Sequence, residues 1–385
     1  MKIVIVCDVL NGHNGTTKMM LYVAGGLQTM GHNVTLIYFG RTNDWKNVEY
    51  LLKDKNYRVV ERSLMDLIAF PLRMYAEKNF WYFTPEDVVN FLREFSFFRI
   101  LRKLRLKPDY IIFSNIQSAF PVLLSKSEHR AALIIHEAPD FHALGFPIGS
   151  LLKFYVKFLL RNMTLTISTN HGAKKQMSEI YGLEVSVLPH MAFNDVEMRD
   201  ERDRNIILMD TRWTTDRDPF FVIRIVEEIK GVKFVMHGSF PNKWFRESLV
   251  NELNFRGLSS RCSIISGLGW EDLERLYMGA KIMLRWSGMS ETGNSFAVLD
   301  AISHECVPVV DNQLGYTAAF ISENISQNLV VERDQNAFIE SIKKLLEDAE
   351  YYADIKTKVR ACKETFTWEK YSAELLEMAM SKRQT

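Results

Sequence analysis

The sequence predicts two doubly wound α/β domains, because short apolar runs alternate with helical patterns through both halves of its 385 residues. A chain of this length is typical of two domains, or of three. Its 47% hydrophobic and 25% charged residues can fill sizeable cores and exclude disorder as the main state. The balance of 48 basic and 47 acidic side chains argues against a nucleic-acid surface spread over the whole protein.

The N-terminal half is predicted to contain buried strands separated by helices. Residues 2–9 are rich in Ile and Val without polar alternation, as in a strand buried on both faces, and a helix follows over 16–30. Further strands are predicted at 33–39, 57–61, 110–114, 131–136, 165–168 and 185–188. This repetition indicates a parallel sheet with helices on both faces.

A polar, charged stretch without apolar periodicity, 189–205, predicts the domain linker. We therefore assign 1–190 to an N-terminal domain and 195–366 to a C-terminal domain. In the second domain, strands are predicted at 206–210, 232–237, 262–266, 281–285 and 307–310. Doubly wound domains bind ligands at the carboxyl ends of their strands, so two facing domains would share a cleft.

The first candidate site is the glycine-rich turn NGHNGTT at 11–17, between the first strand and the first helix. Gly15 lets a ligand approach the backbone, and the N-terminus of the following helix favours anions. The turn lacks the GxGxxG fingerprint of dinucleotide-binding domains, which argues against a dehydrogenase. A plain tight turn is the alternative interpretation.

The second candidate site is SGMSETGNSFAVLDA at 287–301, which follows a predicted strand. Glu291 lies in its Gly/Ser-rich loop, and Asn294 or Ser295 can cap the next helix, whose N–H groups would face an anion such as a diphosphate. Asp300, inside that helix, can accept hydrogen bonds from sugar hydroxyls. The alternative is that both acids are solvated carboxylates that interact with the helix dipole.

The third candidate site is TRWTTDRDP at 211–219, after the first strand of the second domain. Arg212 and Arg217 can converge on an anion there. Arginine suits phosphate because its planar fork binds two oxygens at once. Solvated surface arginines are the alternative.

The three clusters, in this order, resemble the GT-B glycosyltransferases of the large retaining group that includes bacterial lipopolysaccharide, capsule and mannosyl transferases. NGTTKMMLYVAGGLQTMGHNVTLIYF is similar to that family's Gly-rich loop and helix, and TRWTTDRDP to its "GR...KG" segment. SGMSETGNSFAVLDAISHECVPVV resembles "S..EgfGl.vlEAmacG.PVV", and HEAPDF resembles its "HD" segment. FTWEKYSAELLE is similar to the closing helix, here 368–385, which in that fold crosses back to the N-terminal domain.

The sequence also departs from the family pattern. The family's paired acids are separated by seven residues, whereas eight separate Glu291 from Asp300, and the second acid is Asp. Thr211 and Arg217 stand where the family has glycine and lysine. Whether the altered acid pair supports catalysis is left open by the sequence.

The resemblance implies two Rossmann-like domains facing a cleft, with an N-terminal acceptor-binding and a C-terminal donor-binding domain. By position, the catalytic residues would be His136 near the sugar and acceptor, and Glu291 at the hydroxyls of the donor sugar. The donor-binding residues would be Gly15, Arg212, Arg217, Asn294, Ser295 and Asp300, the last at the ribose.

The resemblance further implies sugar transfer, with retention of configuration, from a nucleotide sugar to a glycan or lipid-linked acceptor. Uridine is the expected base, guanosine the alternative, and no metal or other cofactor is expected. Two other functions stay open: a non-catalytic protein of this fold that scaffolds a glycosylation complex, and a sugar-nucleotide epimerase.

Two basic segments, 90–107 and 151–162, combine Lys and Arg with aromatic residues at helical spacing. They predict attachment to an anionic membrane surface. The alternative is that both helices pack on the sheet and turn a basic face toward the solvent. Nucleic acid is not expected as a partner, because no recognition motif accompanies the charge.

The cellular location is predicted from three features. No apolar run reaches the roughly 20 residues that span a bilayer. The N-terminal MKIVIVCDV is typical of a first strand rather than of a signal peptide. The four cysteines, Cys7, Cys262, Cys306 and Cys362, have no metal-ligand spacing and are expected to be buried in a reducing compartment. We therefore expect a cytoplasmic protein, held peripherally at the inner face of the membrane.

Overall fold

The computed structural model describes residues 1–7, 15–38, 52, 58–61, 107–114, 130–135, 148–194, 196, 205–288 and 295–381. The chain divides into two compact units: unit 1 is Met1–His190 with Trp368–Thr385, and unit 2 is Met191–Thr367. Each unit contains a parallel sheet and helices, so the predicted fold class is confirmed.

Unit 1 has a seven-stranded parallel sheet in the order β3-β2-β1-β4-β5-β6-β7. Its strands are β1 (Lys2–Cys7), β2 (Asn33–Tyr38), β3 (Arg58–Glu61), β4 (Tyr110–Phe113), β5 (Arg130–Ile135), β6 (Leu165–Ser168) and β7 (Ser186–Val187). Before the C-terminal helix, the described part of unit 1 contains the helices α1 (Gly15–Thr29), α2 (Ile148–Arg161) and α3 (His171–Tyr181). The strand order reverses between β1 and β4, and every residue of β1 after Lys2 is buried, as its apolar run predicts.

Unit 2 has a six-stranded parallel sheet in the order β10-β9-β8-β11-β12-β13. Its strands are β8 (Ile206–Asp210), β9 (Lys233–His237), β10 (Cys262–Ile265), β11 (Ala280–Arg285), β12 (Val307–Asp311) and β13 (Val330–Val331). Its helices are α4 (Val222–Glu228), α5 (Lys243–Phe255), α6 (Trp270–Gly279), α7 (Phe296–Ser303), α8 (Gly315–Asn324), α9 (Gln335–Glu347) and α10 (Ala349–Thr365). The strand order reverses between β8 and β11.

The last helix, α11 (Trp368–Ser381), belongs to unit 1, where it packs on α1. The two helices approach closely at Gly26, because a Cβ there would lie 2.6 Å from both Trp368 O and Ser372 Oγ. The hydroxyl of Ser372 donates to Val23 O at 3.3 Å, and the rings of Tyr22 and Trp368 are 5.1 Å apart. The C-terminal helix is therefore an integral part of unit 1.

Part of the stretch predicted as a linker is core of unit 2. Met191, Ala192 and Phe193 are buried, and Phe193 N donates to Phe366 O at 2.8 Å. The charged residues that follow dominate the composition of 189–205 and conceal this short apolar run. The four cysteines are buried thiols outside any disulfide, and their burial confirms the prediction. No helix in the described part of the chain is both long and apolar enough to cross a bilayer.

Candidate functional site

The carboxyl ends of β8 and β11 are neighbours where the strand order of unit 2 reverses. Open α/β sheets bind ligands in the crevice at such a reversal. β8 ends at Asp210 and β11 at Arg285, so the chain leaves the sheet at this edge through residues 211–218 and 286–288. Two of the residues that the sequence singles out, Arg212 and Arg217, lie on the first of these segments.

The turn after β8 is fixed against β9. Trp213 is buried, its indole N–H donates to His237 O at 2.9 Å, and its backbone N–H donates to Ser239 O at 2.8 Å. Gly238 has φ 129°, and a Cβ there would overlap the backbone oxygen of Thr211. Only glycine tolerates both the positive φ and the close contact with Thr211. The backbone at the start of the turn therefore packs directly against the end of β9.

The two predicted arginines lie on this turn with different environments. Arg217 is half-buried and donates from one guanidinium nitrogen, Nη1, to Thr211 Oγ1 at 3.1 Å and to Arg212 O at 2.8 Å. These bonds fix the orientation of the guanidinium group, which carries five N–H donors. Arg212 is exposed. The turn therefore presents one oriented and one solvent-facing positive charge.

The loop after β11 contacts the same turn. The indole N–H of Trp286 donates to Arg217 O, and a Cβ on Gly288 would overlap the carboxylate of Asp216. Ser287 donates from its backbone N–H and its hydroxyl to Asp311 Oδ2, both at 2.9 Å. The buried Asp311 carboxylate thus fixes the beginning of this loop, and the indole of Trp286 joins it to the arginine turn.

Helix α7 begins after this loop, and Ser295 occupies its N-cap position. The Ser295 hydroxyl makes no capping bond to the first turn but accepts a hydrogen bond from Arg285 Nε at 3.3 Å. Its backbone N–H donates to Thr317 Oγ1 at 2.9 Å. Because its side chain does not cap the helix, the first-turn N–H groups and the buried Arg285 cation give this end of α7 positive character.

Asp300 lies on α7 beside a buried polar cluster that the sequence did not reveal. Asp210 Oδ2 accepts from the hydroxyl of Tyr277 at 2.6 Å, and Asp210 Oδ1 is 2.8 Å from His237 Nδ1. Burial raises the pKa of Tyr277 well above its ordinary value, and the negative charges of Asp210 and Asp300 raise it further. Asp300 is 6% exposed, so it is buried rather than at a solvated helix surface, and it is close enough to Tyr277 for its charge to act on that hydroxyl.

The other predicted residues lie elsewhere or outside the described residues. Gly15 is the first residue of α1 in unit 1. His136 directly follows β5, but it lies outside the described residues, as do Glu291 and Asn294. In the described part of the chain, no group of three or more His, Cys, Asp or Glu side chains could hold a metal ion.

Sequence reasoning missed Arg285, Trp286 and Asp311 as parts of this edge. One signal was present, because Arg285 interrupts an apolar strand at its carboxyl end, where a charged residue reaches the ligand edge. Asp311 ends β12 in the same way. Their partners, Ser295 and Ser287, are distant in sequence and become evident only in the folded chain.

Comparisons with known proteins show what the chain is similar to. Residues 194–361 match the model of the family described as Glycosyl transferases group 1. No curated protein sequence matches the chain. Among solved structures, HepE from Anabaena in complex with UDP and glucose has a TM-score of 0.70 at 12% identity, covering 99% of this chain and 100% of that one.

Two further solved structures are similar over nearly the whole chain. Sucrose-phosphate synthase from Thermosynechococcus elongatus has a TM-score of 0.69 at 13% identity, covering 99% of both chains. A TarM variant from S. aureus, in complex with fondaparinux, alpha-GlcNAc-glycerol and UDP, has a TM-score of 0.67 at 11% identity, covering 98% of this chain and 100% of that one. The chain therefore has the GT-B fold, and its residues 194–361 are similar to the glycosyl transferases group 1 family.

Proposed function

We propose that this protein transfers a sugar from a nucleotide-diphosphate sugar, with a UDP-sugar expected first, to a glycan or lipid-linked acceptor. One observation carries the proposal: the turn that bears Arg212 and Arg217 is hydrogen-bonded through Trp286 to the loop that leads into α7. Two kinds of anion-binding group, guanidinium and helix N-terminus, thus belong to one edge of unit 2. A diphosphate is negatively charged, and its oxygens can accept hydrogen bonds from both kinds of group.

The relatives support this choice of ligand. The HepE structure contains UDP and glucose, and the TarM structure contains UDP. Residues 194–361, which lie in unit 2, match the model of the glycosyl transferases group 1 family. A nucleotide sugar is therefore the ligand class that we propose for the edge formed by β8 and β11.

The proposed chemistry breaks the bond between the anomeric carbon of the donor and its diphosphate oxygen. The acceptor hydroxyl oxygen forms the new bond to that carbon, and its proton passes to the leaving diphosphate. Arg212, Arg217 and the N–H groups at the start of α7 stabilise the negative charge that develops on the leaving group, which is preorganised electrostatic catalysis. We propose that attack occurs on the face that the diphosphate leaves, so that configuration is retained without an enzyme nucleophile.

The remaining residues keep the roles that the family resemblance implies. We propose that Glu291 binds hydroxyls of the donor sugar and that Asp300 binds the ribose. We propose that His136 lies near the sugar and the acceptor. Gly15 would allow the loop before α1 to approach the sugar. We expect the reaction to need no metal, since guanidinium and backbone N–H groups would neutralise the diphosphate.

The first experiment is a thermal-shift panel of UDP, GDP, CMP, ADP and their sugar conjugates, with and without EDTA. A ligand at 100 times its dissociation constant stabilises the folded state by about 2.7 kcal/mol, which is measurable. We expect a selective, EDTA-insensitive shift with one nucleotide, which would also identify the base. If no nucleotide shifts the transition, the proposed donor site is wrong.

A second experiment separates a transferase from a non-catalytic scaffold. Radiolabelled sugar transfer to membrane or glycan extracts is compared for the wild-type chain and Glu291→Ala. We expect Glu291→Ala to abolish transfer and to leave the thermal transition of the unliganded protein unchanged. Donor binding without any transfer or hydrolysis by the wild type would favour the scaffold.

A further inference from the structure

Helix α2 exposes two phenylalanines on one side. The side chain of Phe154 is 70% exposed and that of Phe158 is 52% exposed, whereas Val156, Leu159 and Leu160 are buried in unit 1. Residues four apart stand one above the other on a helix, so the two exposed rings form a short apolar stripe. Such a stripe is costly in water and indicates a surface that meets another phase or partner.

Positive charge lies along the same side of α2. Lys157 and Arg161 follow Phe154 by three and seven residues, which places them on its face of the helix, and Lys153 precedes it at the border. The helix contains no Asp or Glu among its 14 residues. We call Lys153, Phe154, Lys157, Phe158 and Arg161 together the α2 face.

We propose that the α2 face docks the protein on an anionic lipid surface. Exposed aromatic rings enter the boundary between headgroups and acyl chains, and neighbouring Lys and Arg attract anionic headgroups. The long stems of lysine and arginine let their charged ends stay at the headgroups while the rings insert. The α2 face has both components on one side of one helix.

Charge favours lipid over a second copy of this chain. A symmetric contact through the α2 face would bring two sets of basic residues together without any acid on either helix, which is repulsive. An exposed aromatic residue elsewhere shows the contrast: Phe255 is 88% exposed, but it ends α5, a helix that contains two glutamates. An aromatic residue alone therefore does not define such a surface.

The test is co-sedimentation of the full chain with vesicles of phosphatidylcholine alone and of phosphatidylcholine with phosphatidylglycerol, at low and high salt. We expect binding only to the anionic vesicles, weakened by salt. Neutralising the charges in Lys153→Gln/Lys157→Gln/Arg161→Gln should weaken binding about fivefold per charge, on the order of a hundredfold in all. Replacing both rings in Phe154→Ser/Phe158→Ser should weaken it at least about tenfold.

Matched controls distinguish binding through the α2 face from non-specific adsorption to vesicles. Phe255→Ser removes an exposed ring from unit 2, and Lys230→Gln/Lys243→Gln/Arg246→Gln removes three charges from exposed positions there. Both controls should bind vesicles like the wild type. Circular dichroism and thermal unfolding establish that every variant folds.

Three outcomes would overturn the proposal. The first is no binding to anionic vesicles at low salt. The second is binding that the α2 variants and the controls change equally. The third is an α2 face that binds an oligonucleotide in preference to vesicles, or that forms a dimer lost in Phe154→Ser/Phe158→Ser.

The inference does not rest on the proposed function, because vesicle binding needs no sugar donor and nucleotide binding is measured without lipid.

Discussion

The indole N–H of Trp286 donates a hydrogen bond to the backbone oxygen of Arg217, which joins the loop after β11 to the turn after β8. Trp286 is 2% exposed, and its ring centroid lies 5.6 Å from that of Trp213 and 5.0 Å from that of Phe221. One buried side chain thus holds together the two segments to which we assign the donor diphosphate.

Trp286→Phe tests this connection, because it keeps an aromatic ring but removes the N–H donor. We expect the free energy of unfolding to fall by about 1 kcal/mol. We also expect nucleotide affinity to fall, since Arg217 loses a fixed position relative to α7. Urea denaturation and nucleotide titration measure the two effects. The control Trp244→Phe alters a side chain that is 65% exposed and should change neither quantity.

Arg212→Ala and Arg217→Ala should each weaken donor binding by about 1.5–3 kcal/mol, the range for hydrogen bonds to charged groups. Their effects on stability should differ. Arg217 donates to Thr211 Oγ1 and Arg212 O, so its loss also destabilises the turn, whereas the exposed Arg212 can be removed without that cost. Calorimetric titration with the nucleotide found in the panel measures the affinities.

Arg224→Ala is the control for this pair, because Arg224 is an exposed arginine of α4 that donates to Asn336. It should leave nucleotide affinity unchanged. An Arg217 variant that loses stability but binds the nucleotide like the wild type would contradict its place in the donor site.

Much of the fold could be predicted because buried parallel strands are nearly continuous apolar runs. The runs at 206–210 and 281–285 correspond to β8 and β11 within one residue. β13 was missed, since it is only two residues long and too short for a pattern to form. After Asp334 the chain forms three helices, α9, α10 and α11. The side-chain cap at Asp348 separates the first two, and a bend before Trp368 separates the last two.

The site was predicted only to the level of its segments. Motif positions after strands predicted that Arg212 and Arg217 follow β8 and that Ser295 precedes a helix, because chain order fixes which segment leaves which strand. The sequence could not show that the Ser295 hydroxyl is bonded to Arg285 rather than to the helix, or that Asp300 lies near Tyr277. Those relationships depend on how side chains pack between elements that local patterns do not connect.

Gly238→Ala should unfold unit 2 or destabilise it by more than about 3 kcal/mol. Its φ of 129° is unfavourable for alanine, and the added Cβ would overlap Thr211 O, a backbone atom that cannot rotate away. Gly257→Ala is the control, since Gly257 has φ 68° but nothing within 4 Å of a Cβ. It should cost only the strain of the left-handed conformation, about 1–2 kcal/mol. Urea denaturation compares the two, and equal losses would contradict the contact argument.

The stability of unit 2 should decrease in alkaline solution, because two of its buried thiols resist ionisation. Burial raises the pKa of Cys262 from 9.0 to about 12, and burial raises that of Cys362 to about 11. Well below pH 9 these thiols are protonated in both the folded and the unfolded chain. Above it the unfolded chain loses protons that the folded chain keeps, so rising pH favours unfolding.

For Cys262 the expected loss is about 1.4 kcal/mol in the free energy of unfolding per pH unit between pH 9 and its folded pKa. Urea denaturation at several pH values above neutrality measures this slope. Cys262→Ala should lower stability near neutral pH, since it opens a cavity, but should make the alkaline slope shallower because the ionisable group is gone. Ser263→Ala, at the exposed neighbouring position of β10, should keep the wild-type slope. A Cys262→Ala slope equal to that of the wild type would mean that this thiol does not couple folding to pH.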